Sequence, residues 1–456
     1  MARDTLDDTP IEGRDALVAH IAGGEKPPAE FRIGTEHEKF AFDLADLSPV
    51  PYGGERGIAA ILEALRQSSG WDAITDEGRL IGLAAPSGGG AISIEPGGQF
   101  ELSGAPLETL HETCVEANGH LREVRAIAER LGLGFLGLGF APTWTLEEAA
   151  RMPKQRYDIM RRHMTKVGTR GLDMMHRTTT IQVNLDYASE ADMVAKMRVG
   201  LALQPVATAL FANSPFLEGA PNGLRSNRAK VWHDVDPARC GPLPFAFDEG
   251  FSYEGYVDWA LGVPMYFVKR GDTYIEATEA TFADFMAGRF AKLPGERPTM
   301  GDWINHLSTL FPEVRLKRFL EMRGADGGPW ARICALPAFW VGLLYDGGVL
   351  DQATALVAEL SADDRRAMLE RVPHDGLGTR VGRRTVADLA RDALALASEG
   401  LRRRGKASGE APDERAFLTV LEDAAHSGRS PADELLDAYR GPWKGDVRKV
   451  FETNAF

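Results

Sequence analysis

The sequence predicts an α+β fold built around an antiparallel sheet, and three observations lead there. Four strand-like runs alternate apolar and polar residues with period two, as strands do when one face lies on a core. Strand-like and helical segments do not alternate as regular βαβ units, which argues against a doubly wound parallel sheet. The stretch "KRGDTY" (269–274) sets Gly-Asp between two strand-like runs, a hairpin signal.

The elements follow in order. Residues 1–30 predict a short helix and a Pro-containing approach. "FRIGTEHEKFAFD" (31–43) predicts a strand with Glu36, Glu38, Phe40 and Phe42 on one face and Ile33, Thr35 and His37 on the other. Two carboxylates on one face of an apolar strand repel each other and lose hydration, so a cationic partner is expected. "AISIEPGGQFEL" (91–102) repeats the pattern, with Ile92, Ile94, Phe100 and Leu102 on one parity and Glu95, Gln99 and Glu101 on the other. Pro96 argues against an undisturbed ladder there, and Gly97 and Gly98 allow a bulge or the close approach of a ligand. Helical patterns cover 107–131, 153–167 and 190–212, with Pro153 at a helix-first position. Strand-like runs cover 134–140 and 178–187; in the second, Ile181, Val183, Leu185 and Tyr187 alternate with Thr180, Gln182, Asn184 and Asp186. Further runs cover 263–276 and 315–323, and Leu316, Leu320 and Met322 oppose Arg315, Lys317, Glu321 and Arg323. The rest is mostly helical in composition. The expected organisation is one catalytic domain over 1–456, with a core at 31–346 and a helical section at 347–456 packed on it.

Composition narrows the function. The 456 residues are 44% hydrophobic and 26% charged, the balance of a soluble globular protein. A net charge of −14, from 52 basic and 66 acidic residues, argues against a nucleic-acid partner. No apolar stretch approaches the length of a membrane span, so no membrane partner is expected. The opening "MARDTLDDTPIEGRD" is acidic and polar, unlike a secretory signal. Cys114, Cys240 and Cys334 are odd in number and widely spaced, which predicts reduced thiols and a cytoplasmic setting. Cys114, in "HETC", reads as a packed core cysteine.

The polar parities carry the chemistry. Solvated strand faces usually hold Lys, Thr and mixed charge, whereas these hold clustered Glu, Gln, Asn and Asp. Carboxylates and amides on one concave face suit a hard divalent cation such as Mg²⁺, which in turn binds phosphates. The basic residues of 315–323 would clamp the same phosphates. This is the equipment of an ATP-using enzyme without a P-loop. "GLGFLG" (132–137) has the wrong context for a dinucleotide fingerprint, and "PSGGGA" (86–91) lacks the P-loop Lys and reads as a flexible loop. His37 is expected to hydrogen-bond structurally. The basic residues of "MPKQRYDIMRRHM" (152–164) read either as a solvated face or, at Arg156 and Tyr157, as substrate contacts.

The runs "IGTEHEKF", "SIEPGGQFELSG", "MPKQRYDIM", "QVNLDY", "LFANSPF", "VPMYF", "FPEVRLKRFLEMRGADGGPW" and "CALPAFWVGLLYD" resemble glutamate–cysteine ligases of the group shared by plants and many proteobacteria, across about residues 31–346. The resemblance implies a glutamine-synthetase-like antiparallel sheet forming a funnel, surrounded by helices. It implies ATP-dependent joining of the L-glutamate γ-carboxylate to the L-cysteine amine through γ-glutamyl phosphate, as a monomer or homodimer. The metal-binding carboxylates map onto Glu36, Glu38, Glu95, Glu101 and Glu321. Arg323 and Arg228 are the expected catalytic arginines, and Gln99, Gln182, Asn184, Arg156, Tyr157 and Lys317 the expected substrate and nucleotide contacts. A relative using a different amine, a γ-glutamylcysteine supplier for ergothioneine, and an inactive binding protein with the same fold are the alternatives. Plant members carry a cysteine pair at the positions of Ala277 and Lys292, so a thiol switch of that type is not expected.

Overall fold

The computed structural model describes residues 4–86 and 88–456. Ser87, in the loop expected at 86–91, lies outside the described residues. The sheet strands are β1 (Ile33–Asp43), β2 (Asp72–Asp76), β3 (Arg79–Ala84), β4 (Gly90–Ile94), β5 (Phe100–Gly104), β6 (Leu133–Leu136) and β7 (Thr180–Leu185), joined by an edge hairpin of Val314–Leu316 and Leu320–Asp326. The order runs from that hairpin through β7, β1, β5, β4 and β3 to β2, and β6 pairs with the far end of β1. Every pairing is antiparallel. The fold is therefore α+β as predicted. The sheet is open, its edges being Val314–Leu316 and β2, so the expected funnel is not closed by strand pairing.

The helices that position the site are α1 (Arg14–Ala22), α2 (Ile58–Ser69), α3 (Leu110–Arg130), α4 (Gln155–Val167), α5 (Gly171–Arg177), α6 (Glu190–Phe211) and α7 (Asn227–Trp232). Sequence explains their starts. Thr109 and Glu112 close a capping box on α3, and Ser189 caps α6 by accepting from Asp192 N. Pro153 is not the first residue of α4: Lys154 is the N-cap and the helix begins at Gln155.

β1 sits at the centre because its two halves serve different neighbours. Residues 33–39 lie between β7 and β5, and residues 40–43 pair with β6. On one side Ile33, Ile181, Val183 and Leu185 join a large core with α6 and the helix Trp330–Leu344. On the glutamate parity, Phe40 and Phe42 instead pack with Trp144 and Phe451 in a separate cluster. One strand face thus changes from polar to apolar along its length.

Two runs expected as single strands are hairpins. Residues 91–102 split at a turn where Glu95 N donates to Gln99 O at 2.9 Å and Gly98 N to Glu95 O at 2.8 Å. Gly98 has φ +82, which explains a glycine there. A Cβ on Gly97 would lie 2.2 Å from His176 O, so the close approach is to the end of α5. Residues 314–326 turn back at 317–319, where Lys317 N donates to Phe319 O at 2.8 Å.

Cys114 of α3 and Cys334 of the helix Trp330–Leu344 form a disulfide, with Cα atoms 5.7 Å apart. Cys114 is buried, as the packed-core reading expected, and the bond corrects the reading of the cysteines as a reduced set. The chain spacing hid it, since the partners are separated by 220 residues and meet only because both helices cover the same side of the sheet. Cys240 is the free cysteine, and burial pushes its thiol up to about 12.

Candidate active site

The other side of the central strands carries the predicted glutamates. Register places Glu38 opposite Glu101 and Glu36 opposite Gln182. Like charges directly opposite across strands destabilise a sheet, so this pairing is costly unless a ligand uses it. A cavity of about 100 Å³ opens over them. Glu36, Glu38, Glu95 and Glu101 line it, as do Gln99, Gln182, Arg156, Tyr157, Arg228 and Arg323. The parity reading of β1, β7 and both hairpins therefore brought most of the expected set together.

Each carboxylate has a local anchor. Glu36 Oε1 accepts from Asn184 Nδ2 at 2.8 Å, and Glu38 Oε2 accepts from Thr180 N at 3.0 Å. Ser93 Oγ donates to Glu101. Burial, reinforced by Glu321 and Glu101, pushes the Glu36 carboxyl up. Burial, reinforced by Glu101 and Glu95, pushes Glu38 well above the ordinary range. Both are pockets of negative charge in want of a cation.

Glu321, Asn184 and Lys317 stand apart from the cavity lining. Glu321 is fully buried and takes Arg315 Nη2 at 2.5 Å, Lys317 Nζ at 2.8 Å and Arg323 Nη1. Burial opposes its charge, and Arg315, Lys317 and Arg323 outweigh burial, holding it well below the usual carboxylate range. Its negative charge is already balanced by these side chains. Asn184 acts on Glu36, and Lys317 on Glu321.

Gln99 is also occupied. Its Nε2 donates to Met175 O at 3.1 Å and Thr178 O at 2.9 Å, and its Oε1 accepts from Gly97 N at 2.8 Å. It ties the turn that carries Glu95 to α5. Gln182 bridges the two charge types, accepting from Arg323 Nη1 at 2.6 Å and lying 3.4 Å from Glu36. Arg228 Nη2 donates to Arg323 O at 2.8 Å. Among the described residues Arg228 Nε and Trp232 Nε1 are buried without a partner, two spare donors in the cavity wall.

The wall also holds Arg315, which the sequence placed among the basic residues expected to clamp phosphates, and residues that sequence reasoning missed. The missed ones include Trp232, Ser308 and Phe311. Nothing in the spacing marks these three, which arrive from separate elements. Lys154 belongs to no solvated face: it is buried and donates to Ile94 O at 2.8 Å and the Tyr157 hydroxyl at 3.1 Å. Burial, opposed by Glu95, lowers its ammonium to about 8. The Tyr157 hydroxyl donates to Ile94 O at 2.7 Å. His37 does not hydrogen-bond as expected. Both its ring nitrogens are buried without a partner in the structure, and burial, then Lys39, keeps it neutral.

The donor set fits an oxygen-seeking cation, being carboxylates packed closely enough that neighbouring glutamates reinforce the effect of burial on Glu36 and Glu38. Among the described residues, no three acidic, histidine or cysteine side chains already converge on one point.

An antiparallel sheet that presents paired glutamates against arginines defines an enzyme handling carboxylates and phosphates. In fold it is similar to the crystal structure of glutamate–cysteine ligase from Francisella tularensis in complex with AMP, with a TM-score of 0.53, 11% identity, and coverage of 94% of this chain and 89% of that one. Glutamate–cysteine ligase family 2 (GCS2) matches residues 32–453, and the chain belongs to this family of ligases. It is 53% identical over 439 residues to the chloroplastic glutamate–cysteine ligase of Arabidopsis thaliana, covering 96% of this chain and 82% of that one. The Brassica juncea chloroplastic enzyme is 52% identical, with 96% and 83% covered. These relatives overturn the cytoplasmic expectation, since they are named as chloroplastic enzymes, and the disulfide removes the thiol argument on which it stood. Among the described residues, no single helix is long and apolar enough to cross a membrane.

Proposed function

We propose that this chain joins the L-glutamate γ-carboxylate to the L-cysteine amine at the expense of ATP, by way of γ-glutamyl phosphate. The observation that carries the reading is identity of 53% across 96% of the chain to a glutamate–cysteine ligase. The cavity, which sets four glutamates against arginines, supports it.

The chemistry explains why such a wall is useful. A carboxylate is a poor electrophile because oxide leaves badly. Attack of the glutamate carboxylate oxygen on the γ-phosphorus releases ADP and creates a leaving group. The cysteine nitrogen then attacks the acyl carbon, phosphate departs, and the amine gives up a proton. In-line transfer needs positioning and charge neutralisation more than covalent catalysis. Glu36, Glu38, Glu95 and Glu101 would hold Mg²⁺, which supplies positive charge between the triphosphate and glutamate. Glu321, in this reading, holds Arg315 and Arg323 in place and contributes to the metal site through them. Arg323 and Arg228 face the phosphates with planar forks and spare N–H donors. Arg156 and Tyr157 line the same cavity and take an amino-acid substrate. The open sheet with its helices serves as the funnel, and residues 1–456 work as one catalytic unit.

ADP release tests the reading, measured with Mg²⁺, glutamate and each candidate amine in turn. Turnover that depends on cysteine is the expected result. Preference for another amine would move the chain to a neighbouring ligase, and no turnover with any amine would leave a binding protein.

A further inference from the structure

The chain's own N-terminal stretch reaches Arg156, one of the residues that line the glutamate cavity. Residues 4–11 run alongside residues 298–305. Asn305 clamps Thr5 from both sides, accepting from Thr5 N at 2.9 Å and donating to Thr5 O at 3.0 Å. Gly301 N donates to Asp7 O and Met300 N to Thr9 O, each at 2.8 Å. A Cβ on Gly301 would sit 2.8 Å from Asp7 N, so the stretch lies directly on the start of the helix Met300–Ser308.

This run delivers Asp4 to a cluster of donors. Asp4 Oδ1 lies 3.3 Å from Arg156 Nη1, and Oδ2 accepts from Lys269 Nζ at 3.1 Å and from the Tyr274 hydroxyl. The donors come from α4 and from the hairpin of Phe267–Arg270 and Thr273–Glu276. The Asp4 side chain is only 8% exposed. Burial alone would raise its carboxyl; Arg156, Tyr274 and Lys269 outweigh burial and hold it below the ordinary range. Among the described residues, Asp4 is the sole carboxylate paired with either Arg156 or Lys269.

The fit is incomplete in a telling way. Charge-assisted guanidinium–carboxylate bonds run at about 2.7–2.9 Å and are commonly bidentate. Among the described residues the single Arg156 side-chain bond is 3.3 Å, and Arg156 Nε is buried with no partner. Arg156 also lines the glutamate cavity, and on its outer side Asp4, Lys154, Lys269 and Tyr274 border a further cavity of about 350 Å³. A free amino acid could present its carboxylate to the whole fork, which a side chain tethered at Thr5 does not.

We propose that Arg156, Lys269 and Tyr274 form a subsite for the α-carboxylate of an amino-acid substrate, and that Asp4 occupies it in the substrate-free chain as an intramolecular competitor. The inference rests on the ligase reading for the identity of the substrate, but the subsite and its occupant stand on the geometry. An occupant that must leave first raises the apparent KM by a factor of one plus the ratio of occupied to free subsite and leaves the chemical step alone.

The experiment is steady-state kinetics of the full chain and Asp4→Asn, varying L-glutamate and L-cysteine separately. Asp4→Asn should lower KM for one of the two by about three- to tenfold with kcat unchanged; which one falls identifies whose carboxylate is seated. Adding Lys269→Met to Asp4→Asn should raise that KM again. Unchanged KM for both substrates, or a higher KM in Asp4→Asn, would overturn the proposal. If the wild-type chain shows no turnover, the ligase reading fails by itself. Calorimetric titration with each amino acid then decides the subsite: tighter binding to Asp4→Asn supports it, and equal binding to both chains overturns it.

Discussion

At the scale of single residues, the site is an unbalanced charge arrangement held in place by balanced ones. Glu38 faces Glu101 across the ladder and is pushed well up by burial and by its neighbours, whereas Glu321 is saturated by Arg315, Lys317 and Arg323. Glu38→Gln removes repulsion and keeps the shape, so the fold should survive while turnover falls on the order of a thousandfold, one of the proposed charged metal ligands being lost. Near-normal turnover at saturating Mg²⁺, with an unchanged melting temperature, would take Glu38 out of the site. The same burial gives a pH dependence with a definite sign. A carboxyl whose folded pKa is raised contributes stability below its unfolded pKa and loses it as pH rises through the folded value. Glu36 and Glu38 should therefore weaken the metal-free protein as pH climbs out of the carboxylate range, and Mg²⁺ should restore what they lose. The rise in melting temperature on adding Mg²⁺ should grow with pH and shrink in Glu38→Gln; a pH-independent rise would contradict it. Arg323 bonds Gln182 and Glu321 with one nitrogen. Arg323→Lys keeps the charge and loses the fork, so kcat should fall more than the apparent affinity for glutamate, and equal catalysis would leave Arg323 a structural partner of Glu321.

At the scale of elements, the faces were legible where the boundaries were not. Residues 91–102 and 314–326 read as single strands but are hairpins, yet their polar faces came out right. In the ladders Ile94 pairs with Phe100 and Arg315 with Glu321, each six residues apart. An even separation keeps parity through the turn, so period-two reasoning survives a fold it did not foresee. The β2–β3 hairpin was missed because its turn, Glu77-Gly78, puts a glutamate at φ +48, where sequence rules look for Asn or Asp. The disulfide was illegible for a different reason, since no local pattern links residues 220 apart. It pins α3 to the helix Trp330–Leu344, and Cys114→Ser should cost about 2–5 kcal/mol of stability under oxidising conditions. Denaturant midpoints read this, and equal midpoints for the variant and the oxidised wild type would show that the bond constrains little. That same helix crosses Val386–Arg404 with backbone nearly touching backbone: a Cβ on Gly400 would lie 1.8 Å from Gly342 O. Gly400→Ala should cost about 3 kcal/mol by prying the pair apart.

At the scale of the whole molecule, the C-terminal section completes the catalytic sheet's surroundings. The large core runs without a break from Leu17 through the β7 and β1 residues to Leu394, Leu421 and Ala425. The last residues reach the sheet itself: Gly137 N donates to Asn454 O at 2.9 Å, Phe456 N to Phe135 O at 3.0 Å, and Ala455 bridges Leu136. Phe451 lies 4.9 Å from Phe42 and 6.3 Å from Trp144, ring centre to ring centre. Phe40 and Phe42 share the parity of Glu36 and Glu38, so the tail covers the apolar end of the strand face whose other end forms the site. Composition showed a helical C-terminal section but gave no sign that its tail docks here, because that contact depends on where β1 changes neighbours from β5 to β6. Deleting residues 447–456 removes Val447, Val450 and Phe451 from that cluster and exposes Phe40, Phe42 and Leu136. Burying an aromatic or aliphatic side chain is worth about 1.5–3 kcal/mol, so the loss of three such residues and the exposure of their partners should exceed the few kcal/mol margin typical of a domain's weakest region. We expect the shortened chain to melt well below the full chain and to lose turnover in parallel, because displacement of Phe40 shifts the strand carrying Glu36 and Glu38. Circular dichroism melts and ADP release on the two chains decide this. A shortened chain that melts with the full one would mean that the tail merely rests on the sheet, and one that melts normally but turns over slowly would mean that it positions the glutamates without stabilising the fold.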